Sequence, residues 1–190
     1  DQMIAAIEKV NSGAGVLFIV KNYSGDIMNF QMAAEMTTGP SETVLTNDDV
    51  AVENSSFTTG RRGVAATVIV EKIVGSLAEH GGSLKDCKKL GDKVNKNSGS
   101  MGVAFSSCIV PAAGKPTFEL GAHEMEFGVG IHGEPGRRRD KIKNAQEITN
   151  ELLNAILEDL KPENKEEILL VVNGMGGTPL SELYLIYDNA

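Results

Sequence analysis

The 190-residue chain reads as an α/β protein, two α/β modules with mainly parallel or mixed sheets flanked by helices. Three observations predict this class. Short uninterrupted apolar runs such as VLFIV (16–20) have the length and β-branched content of strands buried on both faces. Between them lie longer segments whose apolar residues recur at helical spacing. The two kinds of segment alternate along the chain, as helix-flanked sheets require.

The elements follow in order. Met3, Ile7 and Val10 share one face of an opening helix, and the Ser12–Gly15 turn delivers the chain into the first strand at 16–20. After the loop NYSG, Ile27, Phe30 and Ala34 mark a second helix. SETVLT (41–46) is the next strand. The polar stretch 47–63, NDDVAVENSSFTTGRRG, has little periodicity and is long for a connection, which makes it a functional or interface candidate. Val64 to His80 is a mostly buried helix closed by Gly81 and Gly82, and Ser83 with Asp86 three residues on resembles a capping box opening the next.

The segment NKNSGSMG (95–102) separates a helical pattern from strand-like VAFSSCIV, so a boundary is placed there, giving modules 1–97 and 98–190. In the second module EMEFGVGI (124–131) and EILLVVN (167–173) read as strands and 144–160 as an amphipathic helix through Ile148, Leu152, Ile156 and Leu160. The chain ends in a glycine loop and a helix with Thr178 as N-cap and Pro179 at its first position.

Composition narrows the function. With 41% hydrophobic and 23% charged residues the chain is soluble and globular, and no apolar run approaches the roughly 18 residues of a membrane span. A net charge of −8 gives no general attraction to nucleic acid or anionic membrane. Arg137, Arg138 and Arg139 are a local exception that reads either as a solvated charge run or as a site for an anion or acidic partner. Cys87 and Cys108 match no metal-ligand spacing and read as free thiols in a reducing cytoplasm, with no metal site. DQMIAAIEKV has no secretory pattern, so a cytoplasmic location is expected.

Four places carry chemistry. His132 stands among Gly128, Gly130 and Gly133, where the backbone approaches a ligand without Cβ interference. It reads either as a structural hydrogen-bonding residue or, with Glu134 and Pro135 stiffening the turn and bringing a carboxylate to the imidazole, as an oriented neutral nucleophile. Asp26 follows a strand by a short loop, where α/β folds present ligand-binding groups, and equally suits the first turn of a helix. Lys21, directly after the same strand, suits either a substrate oxygen or a pairing with Asp26. The loop Asn173–Gly177 suggests a phosphate cradle but lacks both GxGxxG and a terminal GK[ST], which favours a tight turn. His80 at a helix C-terminus and His123 before a strand read as structural or solvated.

The segments KNYSGDIMNF, DDVAVENSSFTTGRRGVA, VPAAGKPTFEL, EMEFGVGIHGEPG and GGTPLSELY together, in this order, resemble the dihydroxyacetone-binding subunit of dihydroxyacetone kinase, bacterial phosphotransferase-system type. The resemblance implies that His132, in the IHGEPG turn, adds to the carbonyl carbon of dihydroxyacetone as a hemiaminal. An imidazole adds reversibly to a ketone and not to an alcohol, so such a bond selects dihydroxyacetone over glycerol. It implies further that Asp26, closing the KNYxGD motif, contacts a substrate hydroxyl as a candidate base, and that Lys21 is the substrate-binding lysine of the same loop. No cofactor is implied for this chain itself. ADP or ATP with Mg is placed on a nucleotide-carrying donor subunit, the chain is expected to form a homodimer, and Gly133 is the residue of the phosphoenolpyruvate-dependent branch. The family's N-terminal GGGSGHEP segment, with a second histidine, and part of its C-terminal region do not occur in these residues. The alternative within the family is a dihydroxyacetone-binding paralogue that co-activates a transcription regulator without phosphoryl transfer.

Overall fold

The structure is a computed structural model that describes residues 1–52, 58–107, 109, 111–112, 114–134 and 136–190. Two of the sequence readings, the Cys108 thiol and the stiffening Pro135, fall outside those residues. Among the described residues the chain divides into two compact units, Asp1–Ser100 and Met101–Ala190. The α/β class holds in both.

In the first unit, α1 (Gln2–Val10), β1 (Val16–Lys21), α2 (Ser24–Glu35), β2 (Ser41–Thr46), α3 (Ala66–Glu79) and α4 (Leu84–Lys96) follow in order. β1 and β2 pair in parallel from Val16↔Ser41 to Lys21↔Thr46. Successive side chains of a strand point to opposite faces, and here each face has its own cover. Phe18 and Val20 join Ile7 of α1 and Ala33 of α2 in one core, where Phe18 meets the edge of Phe30 at 5.9 Å between ring centroids. Leu17 and Ile19 pack against a second core of Val44, Val70, Val74 and Cys87 beneath α3 and α4. Gly91 permits α4 to approach closely, since a Cβ there would lie 2.6 Å from Val44 Cγ2.

Helix boundaries follow local chemistry. Ser83 caps α4, its Oγ accepting from Asp86 N at 3.2 Å and donating to Asp86 Oδ2 at 2.6 Å. α3 ends where Gly82 N donates to Leu77 O at 2.9 Å, with Gly81 at φ +82°. Its start uses a long-range cap: the fully buried Asp48 carboxylate accepts from Val64 N at 2.8 Å and Ala66 N at 3.1 Å.

The second unit holds an antiparallel sheet in the order β3 (Val103–Ala104), β4 (Glu124–Phe127), β5 (Arg138–Lys141), followed by α5 (Ala145–Leu160) and α6 (Leu180–Asn189). Met125 and Phe127 from β4 and Ile148 from α5 form its core, with Met101, Val103 and Leu152 around them. Asn144 and Glu147 make a reciprocal capping box at the start of α5, and Lys161 closes it in the left-handed conformation at φ 47°.

Three expectations are corrected here. The strand expected over 124–131 stops at Phe127, because Gly128 takes φ +73° and turns the chain away. EILLVVN forms no strand: it pairs with no segment among the described residues, and Ile168, Leu169 and Val171 stand exposed. The last helix begins at Leu180 with Pro179, not Thr178, as its N-cap, in an extended ψ of 149°. Among the described residues no helix is long and apolar enough to cross a membrane.

Candidate functional site

His132 sits in the connection from β4 to β5, a loop closed at its base and braced inside. At the base Arg137 N donates to Phe127 O at 2.7 Å, and a Cβ on Gly136 would overlap the same carbonyl. Glu126, buried in β4, accepts from Gly136 N at 3.1 Å and from Arg139 Nε at 3.3 Å. Within the loop Gly133 N donates to Gly130 O at 3.0 Å and Gly130 N to Glu134 O at 3.1 Å. Gly133 takes φ +80°, and a side chain there would overlap Thr117 Oγ1, so glycine is required twice over.

Glu134 is the acidic group of this turn, 3% exposed. It accepts from His132 N at 3.0 Å and its Oε1 lies 3.4 Å from His132 Nδ1, while the imidazole side chain itself is 54% exposed. A carboxylate facing Nδ1 favours the tautomer protonated there, which places the nucleophilic lone pair on Nε2. The arrangement therefore presents an oriented imidazole at the surface from a rigid turn.

Lys21 and Asp26 lie together in the first unit, at the C-terminal edge of the parallel strands. Lys21 ends β1, and Tyr23 N donates to Lys21 O at 2.8 Å as the chain turns into α2. Asp26 occupies the first turn of α2. Both are half-buried, and no ion pair links them among the described residues.

Sequence reasoning missed two buried supports. Asn22, 4% exposed, donates from Nδ2 to Thr59 O at 3.0 Å and Arg61 O at 2.6 Å, which draws part of the 47–63 stretch against this edge. Arg62, fully buried, binds Asp49 through Nη2 at 2.6 Å and Nε at 2.7 Å. Burial raises the Asp49 carboxyl above its usual range, against the lowering effect of Ala51 N–H and Arg62. Asn22 lay in the quoted KNYSGD motif, but its partners are 37 and 39 residues away and leave no local signal.

The other candidates resolve into structural roles. Arg138 pairs with Asp140 and Glu151, and Arg139 with Glu124 and Glu126, so this charge run is engaged within its own unit. Lys143 also binds Asp140 and Glu151, lowering both carboxyls, and its own amine is raised in turn. His80 Nδ1 contacts Ser76 O at 2.8 Å at the end of α3. Asn173–Gly177 is an exposed turn into α6 in which Leu183 packs within 3.1 Å of where a Gly174 Cβ would stand. No group of three or more His, Cys, Asp or Glu able to hold a metal occurs among the described residues.

The family model of the Dak1 domain matches residues 1–190. The chain belongs to the Dak1 family. Its similarity to a PTS-dependent dihydroxyacetone kinase 1, dihydroxyacetone-binding subunit DhaK, of Listeria innocua is 49% identity over 192 residues, covering 100% of this chain and 58% of the relative. Among solved structures this Dak1 chain resembles the dihydroxyacetone kinase operon co-activator DhaQ, with TM-score 0.88 and 35% identity over 98% of this chain and 59% of that one. It also resembles the dihydroxyacetone kinase of C. freundii in complex with AMP-PNP and Mg2+, with TM-score 0.85 and 32% identity over 98% of this chain and 34% of that one.

Proposed function

We propose that this Dak1 chain forms part of a dihydroxyacetone-binding kinase subunit that holds its substrate covalently on His132. The observation that carries this reading is the contact of the buried Glu134 carboxylate with both the backbone N–H and Nδ1 of an exposed His132. The lone pair of Nε2 bonds the carbonyl carbon of dihydroxyacetone, and the π electrons of C=O move to oxygen, which takes up a proton from solvent. The Nδ1 proton departs toward Glu134, leaving a neutral hemiaminal. Glycerol, having no carbonyl, is refused by reactivity.

Asp26 accepts the proton of the hydroxyl that receives phosphate, and Lys21 binds a substrate oxygen. The phosphoryl group comes from a separate donor subunit that carries ADP or ATP with Mg and is recharged from phosphoenolpyruvate, and the binding subunit is a homodimer. The nucleotide complex of the related C. freundii kinase supports nucleotide chemistry in the family. Intact-mass spectrometry of the complete protein with dihydroxyacetone tests the core of the reading. A mass increase of one substrate that vanishes in His132→Ala is expected, and no substrate-dependent adduct on the wild type refutes it.

A second reading, that this chain binds the ketose without phosphorylating it and serves as a co-activator, is favoured by the likeness to the operon co-activator DhaQ. Dihydroxyacetone phosphate formed with the donor subunit supports the kinase, and binding without turnover supports the co-activator.

A further inference from the structure

Lys21 and Asp26 are five residues apart on one short segment, and the structure shows what fixes that segment in place. At its first turn Asn22 N donates to Thr46 O at 2.9 Å, extending the β1–β2 ladder by one bond. Its side chain then spends both amide protons on a different stretch of chain, at Thr59 O and Arg61 O. That stretch is itself shaped for the contact: Thr58 Oγ1 donates to Gly60 O at 2.7 Å, and Gly60 takes φ +83° with its Cβ direction 3.7 Å from Asn22 Nδ2. Gly63 completes the seam, since a Cβ there would stand 2.8 Å from both Asn22 N and Thr46 Oγ1.

We propose that Asn22 is a positioning residue that couples the Lys21–Asp26 segment to the 58–63 loop, so that the loop sets where the candidate base stands. The inference rests on the reading of Asp26 as base given above. Two features make asparagine the required side chain. It supplies two N–H donors from one planar group, which two converging carbonyls need. Its own side chain is buried, so both amide N–H groups depend on these two carbonyls for their partners. Tyr23 N bonds Lys21 O and Ile27 N bonds Tyr23 O, so a shift at Asn22 passes directly into the first turn of α2. Proton transfer demands hydrogen-bond reach between base and substrate, and a displacement near 1 Å costs on the order of 100-fold in rate.

The test uses the complete protein with its donor subunit and the variants Asn22→Asp and Asn22→Ala. Asn22→Asp is nearly isosteric but aims an oxygen at each carbonyl; Asn22→Ala removes the donors without that repulsion. The expected result is a kcat lowered at least tenfold in both, with the His132 adduct at saturating dihydroxyacetone unchanged. A general loss of structure would lower adduct and turnover together, so that split separates positioning from mere stability. Turnover within twofold of wild type in Asn22→Ala, or equal loss of adduct and turnover, overturns the proposal.

Hydrogen exchange supplies a second measurement that needs neither a kinase activity nor the aspartate variant to fold. In Asn22→Ala, amide exchange at Ile27 and in residues 58–63 is expected to rise together by a common factor. A rise at one segment alone refutes the coupling. If the wild type forms no adduct and no phosphorylated product, the functional reading fails by its own test, and the exchange result still decides whether Asn22 joins the two segments.

Discussion

Replacing Arg62 with methionine removes a buried cation and leaves its anion behind. Asp49 is 4% exposed and Arg62 fully buried, and the two meet through Nη2 and Nε at 2.6 and 2.7 Å. Methionine fills much of the stem's volume, so the dominant effect is a buried carboxylate that has lost its cation and keeps the Ala51 N–H at 2.9 Å. Breaking such a pair from one side costs about 3–5 kcal/mol, which corresponds to roughly 6–20 °C in Tm for a chain of this length. The pH dependence has a definite sign. Burial already raises the folded-state carboxyl above its usual 3.8, opposed by Ala51 N–H and Arg62, and the variant loses the Arg62 share of that opposition. A raised folded pKa means that the folded state holds the proton more tightly, so stability is gained as pH falls through the window above 3.8 and lost as pH rises through it. Urea unfolding of the variant and wild type at pH 7.5 and pH 5 should therefore show a deficit that shrinks in acid, and Asp49→Asn in the same background should restore most of it. A deficit below about 1 kcal/mol, or one that is equal at both pH values, refutes the view of Arg62–Asp49 as a buried, mutually dependent pair.

Other expected outcomes follow from the same geometry. Asp26→Asn should lower turnover by about 10²–10⁴ in a coupled assay with the donor subunit, while intact-mass spectrometry still finds the His132 adduct. Glu134→Gln keeps the shape of the turn but exchanges a charged acceptor for a neutral one, and should weaken adduct formation about tenfold in a titration with dihydroxyacetone. Gly91→Ala improves helix propensity by ~1 kcal/mol but drives a methyl to 2.6 Å from Val44 Cγ2, an overpacking cost of about 1–3 kcal/mol, so net destabilisation of up to about 2 kcal/mol is expected by thermal unfolding.

Much of the fold was legible because its signals are local. VLFIV and SETVLT announced their strands, and the glycine pair after His80 and the serine before Leu84 marked helix ends that the backbone then uses. The failures share a cause in information that a short window does not contain. EILLVVN carries the apolar β-branched pattern of a strand, but pattern alone says nothing of whether a partner lies alongside. EMEFGVGI was cut short by a single positive φ at Gly128, and a strand reading has no term for that. At the candidate site the Glu134 contact with His132 was anticipated because they stand two positions apart. Asn22 and Arg62 were not, since their partners are set by how the 47–63 stretch folds back on the strand ends. The arginine run was open to two readings, and only the antiparallel register that puts Arg139 opposite Glu126 shows its charges answered at home.

The run at 167–173, which pairs with no strand among the described residues, has a practical consequence. Ile168 and Leu169, at 67% and 73% exposure, stand outside any helix or strand and present an apolar surface that a neighbouring molecule can cover. In concentrated solution such an exposed apolar run favours association of these 190 residues, and a lysine placed at Leu169 would act as a gatekeeper against it.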